Sequence, residues 1–205
     1  MQEFLTEAKA LGIHISESQK AHFEKYLSML LEWNQKFNLT GITERSDIWI
    51  KHFLDSLTVL EALPEGAKKI ADIGSGAGFP GLPIAIIRSD LDITLLESTG
   101  KKVNFLLEVI RELGLKNVRA AQKRAEEAGR EKLYRGKYDA VLARAVAMLP
   151  VLWDYAFPLL KSGGVLIAQK KSGGASEIDG KFAPISIPIN ISILPERELI
   201  VIKKA

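Results

Sequence analysis

The chain contains no cysteine among its 205 residues. This absence excludes disulfide bonds, thiolate metal sites, iron–sulfur clusters and a cysteine nucleophile. No apolar run approaches the roughly 18 residues that a membrane-spanning helix needs. The N-terminus also lacks the apolar core of a signal peptide. The sequence therefore predicts a cytoplasmic protein that does not enter a membrane.

Net charge is small, +3, but it is unevenly distributed. Residues 1–66 carry 6 basic and 10 acidic side chains, whereas residues 67–205 carry 22 basic and 15 acidic ones. A basic region suits a polyanionic substrate such as RNA. A lysine-rich surface that is merely solvated would give the same counts, so charge alone leaves both interpretations open.

The apolar pattern divides the chain into a helical first part and an alternating second part. The first part has one predicted helix over 4–11 and a second that begins after a capping box at Ser16 and Gln19. A polar loop over 31–44 follows, and then a third predicted helix over 48–57. The second part has predicted strands over 69–73, 92–96, 118–121, 138–142 and 165–169, a helix over 149–160, and a closing antiparallel pair from residues 187–194 and 198–204. The pattern is typical of an α/β fold with a mainly parallel seven-stranded sheet and an antiparallel C-terminal strand. Residues 1–66 would form an N-terminal helical cap on a core of residues 67–205, as one compact unit.

The most informative segment reads KKIADIGSGAGFPGLP and predicts a strand, a glycine-rich turn and a helix. From Gly76 it satisfies G-x-G-x-x-G, the dinucleotide fingerprint. From Asp72 it reads D-x-G-x-G-x-G through Gly74, Gly76 and Gly78, which suits S-adenosylmethionine, because an acid at the strand end can meet an ammonium group. Asp72 beside two phosphates would add repulsion, so we favour adenosylmethionine over NAD. A purely structural glycine turn is the remaining alternative.

Three further groups follow predicted strand ends, where ligands of such sheets bind. Glu97 lies 19 residues after Gly78, about where an acid holds two ribose hydroxyls. Its alternative role is to cap the next helix. Ala125 and Glu126 follow the third strand, and Arg144 follows the fourth. Because parallel strands end at one edge of the sheet, all these residues should lie near the glycine turn.

Two sets of polar side chains each allow more than one role. His52 and Asp55 share one helix face, which favours a hydrogen-bonded pair on the helix surface over a substrate or docking contact. Two such groups without further ligands predict no metal site. Six basic residues follow strand ends and could surround the pocket mouth as an RNA-binding rim: Lys101, Lys102, Lys123, Arg124, Lys170 and Lys171.

The sequence resembles the bacterial ribosomal RNA small subunit methyltransferase G family over nearly its whole length. The resemblance is carried by WNQKFNLTGI, IKHFLDSL, ADIGSGAGFPGLPIAI, KKVNFL, RAEE and DAVLARAVA. It implies a Rossmann-like class I fold that uses S-adenosylmethionine to methylate N7 of a guanosine near the decoding site of 16S rRNA. The implied partners are 16S rRNA or the 30S subunit, with no metal, and we expect a monomer. The implied cofactor contacts are Gly74, Phe79, Ala125, Glu126 and Arg144.

Attack by guanine N7 on a sulfonium methyl would be an in-line displacement that needs no general base, because N7 carries a lone pair and no proton. Arg144 would then orient the cofactor carboxylate, the guanine O6 or a phosphate, unless it forms a structural salt bridge. Phe79 would cover the cofactor, unless it packs under the turn. The missing cysteine disfavours cytosine C5 methylation, and ARAVA stands where amino-group methyltransferases carry N/D-P-P-Y. Three other functions stay open: an NAD-dependent oxidoreductase, an RNA-binding assembly module without turnover, and a small-molecule methyltransferase.

Overall fold

The computed structural model describes residues 1–177 and 183–205. Two helices open the chain, α1 (Gln2–Ala10) and α2 (Glu17–Phe37). The predicted capping box starts α2: the Gln19 N–H donates to the Ser16 hydroxyl and the Gln19 side chain accepts from the Ser16 N–H. This reciprocal pairing satisfies two donors that the first turn of a helix leaves free.

The loop predicted over 31–44 is wrong in its first half, because α2 continues through Phe37. Leu30 is buried and Trp33 packs against the core, so the apolar stripe of the helix runs on beneath the polar residues of this segment. The helix ends at Asn38, whose φ of 49° lies in the left-handed region.

A third helical segment, α3, changes type along its length. It comprises α-helical Arg45–Asp47, a π-helical stretch Ile48–Leu54, α-helical Asp55–Leu57 and a 3₁₀ turn Thr58–Ala62. π-helical turns are rare and recur at functional sites. The predicted helix over 48–57 is confirmed, and residues 63–66 connect it to the sheet.

The sheet has seven strands in the order β3-β2-β1-β4-β5-β7-β6. Strands β1 to β5 are parallel, and β7 runs antiparallel to both β5 and β6, as predicted. The strands are β1 (Lys69–Ile73), β2 (Asp92–Glu97), β3 (Val118–Gln122), β4 (Tyr138–Arg144), β5 (Leu160–Lys171), β6 (Ile185–Ile189) and β7 (Arg197–Lys203). The helices are α4 (Gly81–Ile87), α5 (Gly100–Glu112), α6 (Ala125–Ala128) and α7 (Leu149–Ala156), with a 3₁₀ turn at Gly174–Glu177.

Three predicted boundaries are wrong. The strand predicted over 165–169 is longer and covers Leu160–Lys171. The helix predicted to reach residue 160 ends at Ala156, because Pro158 offers no N–H to continue it and Leu160 already pairs with Tyr138 in the sheet. The strand predicted over 187–194 covers Ile185–Ile189 instead. Ile191 and Leu194 are nevertheless buried, which explains why their apolar pattern resembled a strand.

The core lies on both faces of the sheet. One face packs against α7, and the other is continuous with the apolar side chains of α1, α2 and α3. We propose that residues 1–66 are a cap on the core of residues 67–205 and fold with it, since Phe23 and Phe53 are buried in the same cluster as Ile70. Within the described ranges, no helix is both long and apolar enough to cross a membrane.

Candidate active site

The glycine turn follows β1 at the point where the strand order reverses, between β1 and β4. Ligands of open α/β sheets bind at this point. Gly78 has a φ of 101°, and a Cβ there would lie 2.4 Å from Leu82 Cδ1 and 2.8 Å from the Tyr26 hydroxyl. Gly74 has a φ of 63°, and a Cβ there would lie 2.8 Å from Val146 Cγ2. Both the backbone angles and the neighbouring atoms therefore require glycine at these two positions.

A cavity of about 220 Å³ opens beside this turn, at the carboxyl ends of β1 to β4. A second cavity of about 330 Å³ shares Ser98, Lys123 and Arg124 with it. Three of the predicted cofactor residues therefore come together on one cavity wall. The residues lining the first cavity are Gly74, Leu96, Ser98, Lys123, Arg124, Ala125, Glu126, Val146, Ala147 and Tyr155.

Glu97 lies at the end of β2, between the glycine turn and α5. The residue is 6 % exposed, and its carboxylate accepts hydrogen bonds from the Gly76 N–H at 2.9 Å and the Thr99 N–H at 2.7 Å. A carboxylate has about four acceptor positions, so two are left for ligand hydroxyls. The geometry confirms that Glu97 holds the residue before α5, and its role toward a ribose stays a prediction.

Asp72 does not face the cavity, so the expectation that it meets an ammonium group is wrong. Its side chain is 0 % exposed and turns beneath the glycine turn, where Oδ2 accepts the Gly81 N–H at 2.9 Å. Oδ1 has no hydrogen-bond partner among the described residues. Burial raises the pKa of this carboxyl from 3.8 to about 7.

Replacing Asp72 by asparagine should alter how stability depends on pH. Between pH 4 and 7 the folded protein holds a proton on Asp72 that the unfolded chain releases, so the wild type loses stability as pH rises through this range. The substituted amide does not ionise, and its oxygen keeps an acceptor for the Gly81 N–H. In urea unfolding, the free energy of unfolding of Asp72→Asn minus that of the wild type should increase by up to about 4 kcal/mol from pH 4 to pH 8.

His52 has the opposite pH dependence, but it is present in both proteins of this comparison. Its pKa is lowered to about 3, so the stability that neutral His52 contributes to the fold is lost as pH falls below 6.5. The difference between the two proteins therefore isolates Asp72. A difference that stays constant from pH 4 to pH 8 would show that the Asp72 carboxyl is ionised throughout.

Arg144, at the end of β4, is held by the cap and does not line the cavity. Its Nη1 donates to Asp55 Oδ2 at 3.0 Å and to the Lys51 carbonyl at 3.2 Å. Its Nη2 donates to His52 Nδ1 at 3.0 Å, and its guanidinium carbon lies 4.9 Å from the centre of the Phe79 ring. Of five N–H groups, the Nε–H and one Nη2–H have no partner in the described part of the chain.

These contacts fix the tautomer of His52. Arginine can only donate, so Nδ1 of His52 accepts and Nε2 carries the proton, which it donates to Thr40 Oγ1 at 2.7 Å. Burial and the Arg144 charge lower the pKa of His52 to about 3, so the ring is neutral at physiological pH. Asn34 holds Thr40 in turn, with its side chain bonded to both the Thr40 N–H and carbonyl.

Asp55 collects contacts from the ends of three strands. Besides Arg144 of β4, Arg197 of β7 places its Nε 3.5 Å from Asp55 Oδ1. Gln169 of β5 donates to the Asp55 carbonyl at 2.7 Å. Asp55 is 2 % exposed and His52 is also buried, so the predicted surface pair is wrong. The two side chains instead join the cap to the carboxyl edge of the sheet.

Phe79 packs beneath the turn. The residue is 5 % exposed, and its ring stacks on His52 at 4.3 Å and on Tyr26 at 5.6 Å between centroids. The Tyr26 hydroxyl donates to the carbonyl of Ala77 in the turn itself. The ring of Phe79 therefore supports the turn, which is the packing role that the sequence offered as the alternative to covering the cofactor. Sequence reasoning missed Tyr26, which looked like ordinary core of α2.

The segment after β4 connects the two sides of the site. Ala145 has a φ of 55°, which is strained for a residue with a Cβ. Arg144 on one side of it turns to the cap, and Val146 on the other side lines the cavity. The left-handed backbone at Ala145 thus lets its two neighbours point in different directions, Arg144 to the cap and Val146 to the cavity.

Some side chains of the predicted basic rim are engaged in contacts within the protein. Lys123 and Arg124 line the cavity, but Lys123 is paired with Glu131 at 2.6 Å. Lys170 donates to the Ala147 carbonyl at 2.8 Å, and Lys171 is exposed. Within the described residues, no group of three histidine, aspartate or glutamate side chains is placed to hold a metal ion.

Comparison with known sequences decides the family. A model of the rRNA small subunit methyltransferase G family matches residues 19–187. The chain belongs to this family. The methyltransferase G of Desulforamulus reducens is 49 % identical over 164 residues, which cover 80 % of this chain and 68 % of that protein. The methyltransferase G of Streptococcus gordonii is 44 % identical over 180 residues, covering 87 % and 76 %.

Solved structures of distant proteins share the fold of this chain. A SAM-dependent methyltransferase from Aquifex aeolicus aligns with a TM-score of 0.54 at 15 % identity, covering 74 % of this chain and 90 % of that one. A mutant of MtNAS in complex with S-adenosylmethionine aligns with a TM-score of 0.60 at 13 % identity, covering 91 % and 76 %. At such low identity the likeness concerns the fold alone.

Proposed function

We propose that the chain is an S-adenosylmethionine-dependent methyltransferase that methylates N7 of a guanosine in 16S rRNA. The observation that carries the proposal is its membership of the rRNA small subunit methyltransferase G family. The position of the cavity, at the strand-order reversal and beside a glycine turn, supports it. Under this proposal the protein acts as a cytoplasmic monomer, without a metal, on 16S rRNA or the 30S subunit.

The residues around the cavity suit the parts of this cofactor. Glu97 keeps two acceptor positions for the ribose hydroxyls. The first N–H groups of α6, at Ala125 and Glu126, have no acceptor within their helix and can donate to the adenine edge. Gly74, Gly76 and Gly78 let the backbone approach the rest of the molecule. When bound, the cofactor supplies a methyl group already activated by its sulfonium charge.

Arg144 is the positioning residue of the proposal. The cap holds its guanidinium at one side, and the Nε–H and one Nη2–H remain to donate. They could orient the guanine O6, a phosphate or the cofactor carboxylate. They cannot donate to N7 during attack, since N7 must offer that same lone pair to the methyl group.

No side chain needs to take a proton, because N7 of guanine has none to lose at neutral pH. His52 fits this requirement: its Nδ1 accepts from Arg144 and its Nε2–H is used by Thr40, so neither nitrogen is available as a base. Asp55 is likewise occupied by Arg144. The chain's contribution is therefore to hold and orient, which alone supplies large rate factors.

A methyl-transfer assay tests the proposal directly. The purified protein is incubated with tritiated adenosylmethionine and either protein-free 16S rRNA or 30S subunits, and the labelled nucleoside is identified. We expect 7-methylguanosine from at least one of the two substrates. Label only in another nucleoside would refute the N7 assignment. No label from either substrate, together with binding of NADH in place of adenosylhomocysteine, would refute the enzyme class.

A further inference from the structure

An exposed aromatic ring stands at the end of α2, beside the candidate active site. Phe37 is 39 % exposed, although it is a large apolar side chain. The Nζ of Lys101 lies over its ring, 5.6 Å from the centroid, and Trp33 packs on it at 5.3 Å with a tilt of 46°. Trp33 is itself anchored on Phe105 at 5.5 Å. The ring is therefore held in place on a rigid support while it faces solvent.

Chain connectivity places this ring close to both halves of the site. Phe37 precedes Thr40 by three residues, and Thr40 is bonded to His52, which in turn holds Arg144. Three residues span at most about 11 Å. On the other side, Lys101 follows Thr99, whose N–H binds the Glu97 carboxylate. The ring is thus linked to the Arg144 side of the carboxyl edge through Thr40 and to the Glu97 side through Lys101.

The surroundings of the ring carry uncompensated positive charge. Lys101 and Lys102 open α5, which has no acidic residue in its first turn. Neither lysine takes part in a salt bridge among the described residues, whereas Lys123 is neutralised by Glu131. An exposed ring beside free lysines matches single-stranded nucleic acid, whose bases stack on aromatic side chains and whose phosphates attract cations.

We infer that Phe37 and Lys101 form a docking point for an unpaired nucleotide of the RNA substrate, near the target guanosine. The base stacks on Phe37, and Lys101 leaves the ring to meet the phosphate. This exchange is favourable because an exposed cation–π contact is weaker than base stacking on an aromatic ring. The inference rests on the proposed function and adds to it where the RNA is held.

The chain offers a matched control on the opposite edge of the sheet. Phe157 is 45 % exposed, has Trp153 at 5.5 Å, and has Lys204 Nζ 4.2 Å from its ring centroid. It lies three residues before the start of β5, at the amino edge of the sheet and away from the carboxyl-edge cavity. Removing either ring deletes a comparable exposed aromatic surface, but only Phe37 adjoins the proposed site.

The experiment compares Phe37→Ala, Phe37→Leu, Phe37→Tyr and Phe157→Ala by binding to protein-free 16S rRNA and by steady-state methyl transfer. Phe37→Ala should weaken RNA binding and raise the RNA KM by about ten-fold or more, with the cofactor KM unchanged. Phe37→Leu should lose most of the same affinity, whereas Phe37→Tyr and Phe157→Ala should stay within about two-fold of wild type. Lys101→Ala should lower the salt dependence of binding by about one counterion.

Several results would overturn the inference. RNA affinity of Phe37→Ala within two-fold of wild type would do so, as would an equal loss in Phe157→Ala. A similar increase in the KM for RNA and the KM for the cofactor would assign Phe37 a structural role. If wild type transfers methyl groups to RNA while Phe37→Ala is unaffected, only this inference fails; if wild type neither binds nor methylates RNA, the proposed function fails with it.

Discussion

Replacing Arg144 by alanine should reduce methyl transfer by about 10²- to 10³-fold, as expected when a preoriented hydrogen-bond donor is removed from a reaction site. It should also destabilise the fold by about 3–5 kcal/mol, because it leaves the buried Asp55 carboxylate without its closest cation. Arg144→Lys keeps the charge but loses the fork that contacts Asp55, His52 and the Lys51 carbonyl together, so its rate should also fall strongly.

A double variant separates the two effects. In Arg144→Ala combined with Asp55→Asn, no buried charge is left unpaired, so much of the stability should return while activity stays low. Urea unfolding measures the first quantity, and single-turnover methyl transfer measures the second. Wild-type kinetics in Arg144→Ala would remove this residue from the mechanism, and parallel recovery of rate and stability in the double variant would make its role purely structural.

Alanine at Gly78 should lower the free energy of unfolding more than alanine at Gly76. Its Cβ would lie 2.4 Å from Leu82 Cδ1 and 2.8 Å from the Tyr26 hydroxyl, and both side chains are fully buried and cannot move away cheaply. The φ of 101° adds backbone strain. We expect a loss of about 3 kcal/mol or more, in the range of overpacked cores with added strain.

Gly76 provides the control within the same turn. It has a φ of 60°, but a Cβ there would meet only the Gly74 carbonyl oxygen, at 3.9 Å. Gly76→Ala should therefore cost only the backbone term, about 1–2 kcal/mol. Urea unfolding without cofactor compares the two variants. Equal losses would mean that the contacts of Gly78 with Leu82 and Tyr26 do not determine its identity.

Local patterns predicted most of the sheet. The bounds of β1 came out to the residue, and the order of parallel strands with a closing antiparallel pair followed from alternating apolar runs. Gly74 and Ala125 were placed on one wall because parallel strands end at one edge. These successes share a cause: strand period, glycine turns and strand-end geometry act within a few residues or follow from topology.

Long-range contacts could not be predicted in this way. The spacing of His52 and Asp55 indicated a shared helix face but not that this face is buried against Arg144, 89 or more residues away. Asp72 was wrongly assigned to a ligand. Its burial results from the packing of α4 over it, which the local sequence does not show. The end of α2 was missed because Asn34, Gln35 and Lys36 obscured the apolar spacing of Trp33 and Phe37, which was the usable signal.

The hydrogen bond from the Tyr26 hydroxyl to the Ala77 carbonyl couples the middle of α2 to the glycine turn. The turn cannot open fully without releasing Tyr26, so local opening of the turn and of α2 should share part of their free energy. Cofactor binding should accordingly slow amide deuterium exchange around Tyr26, although α2 contributes no residue to the cavity wall. The cap would then report occupancy of a pocket it does not touch.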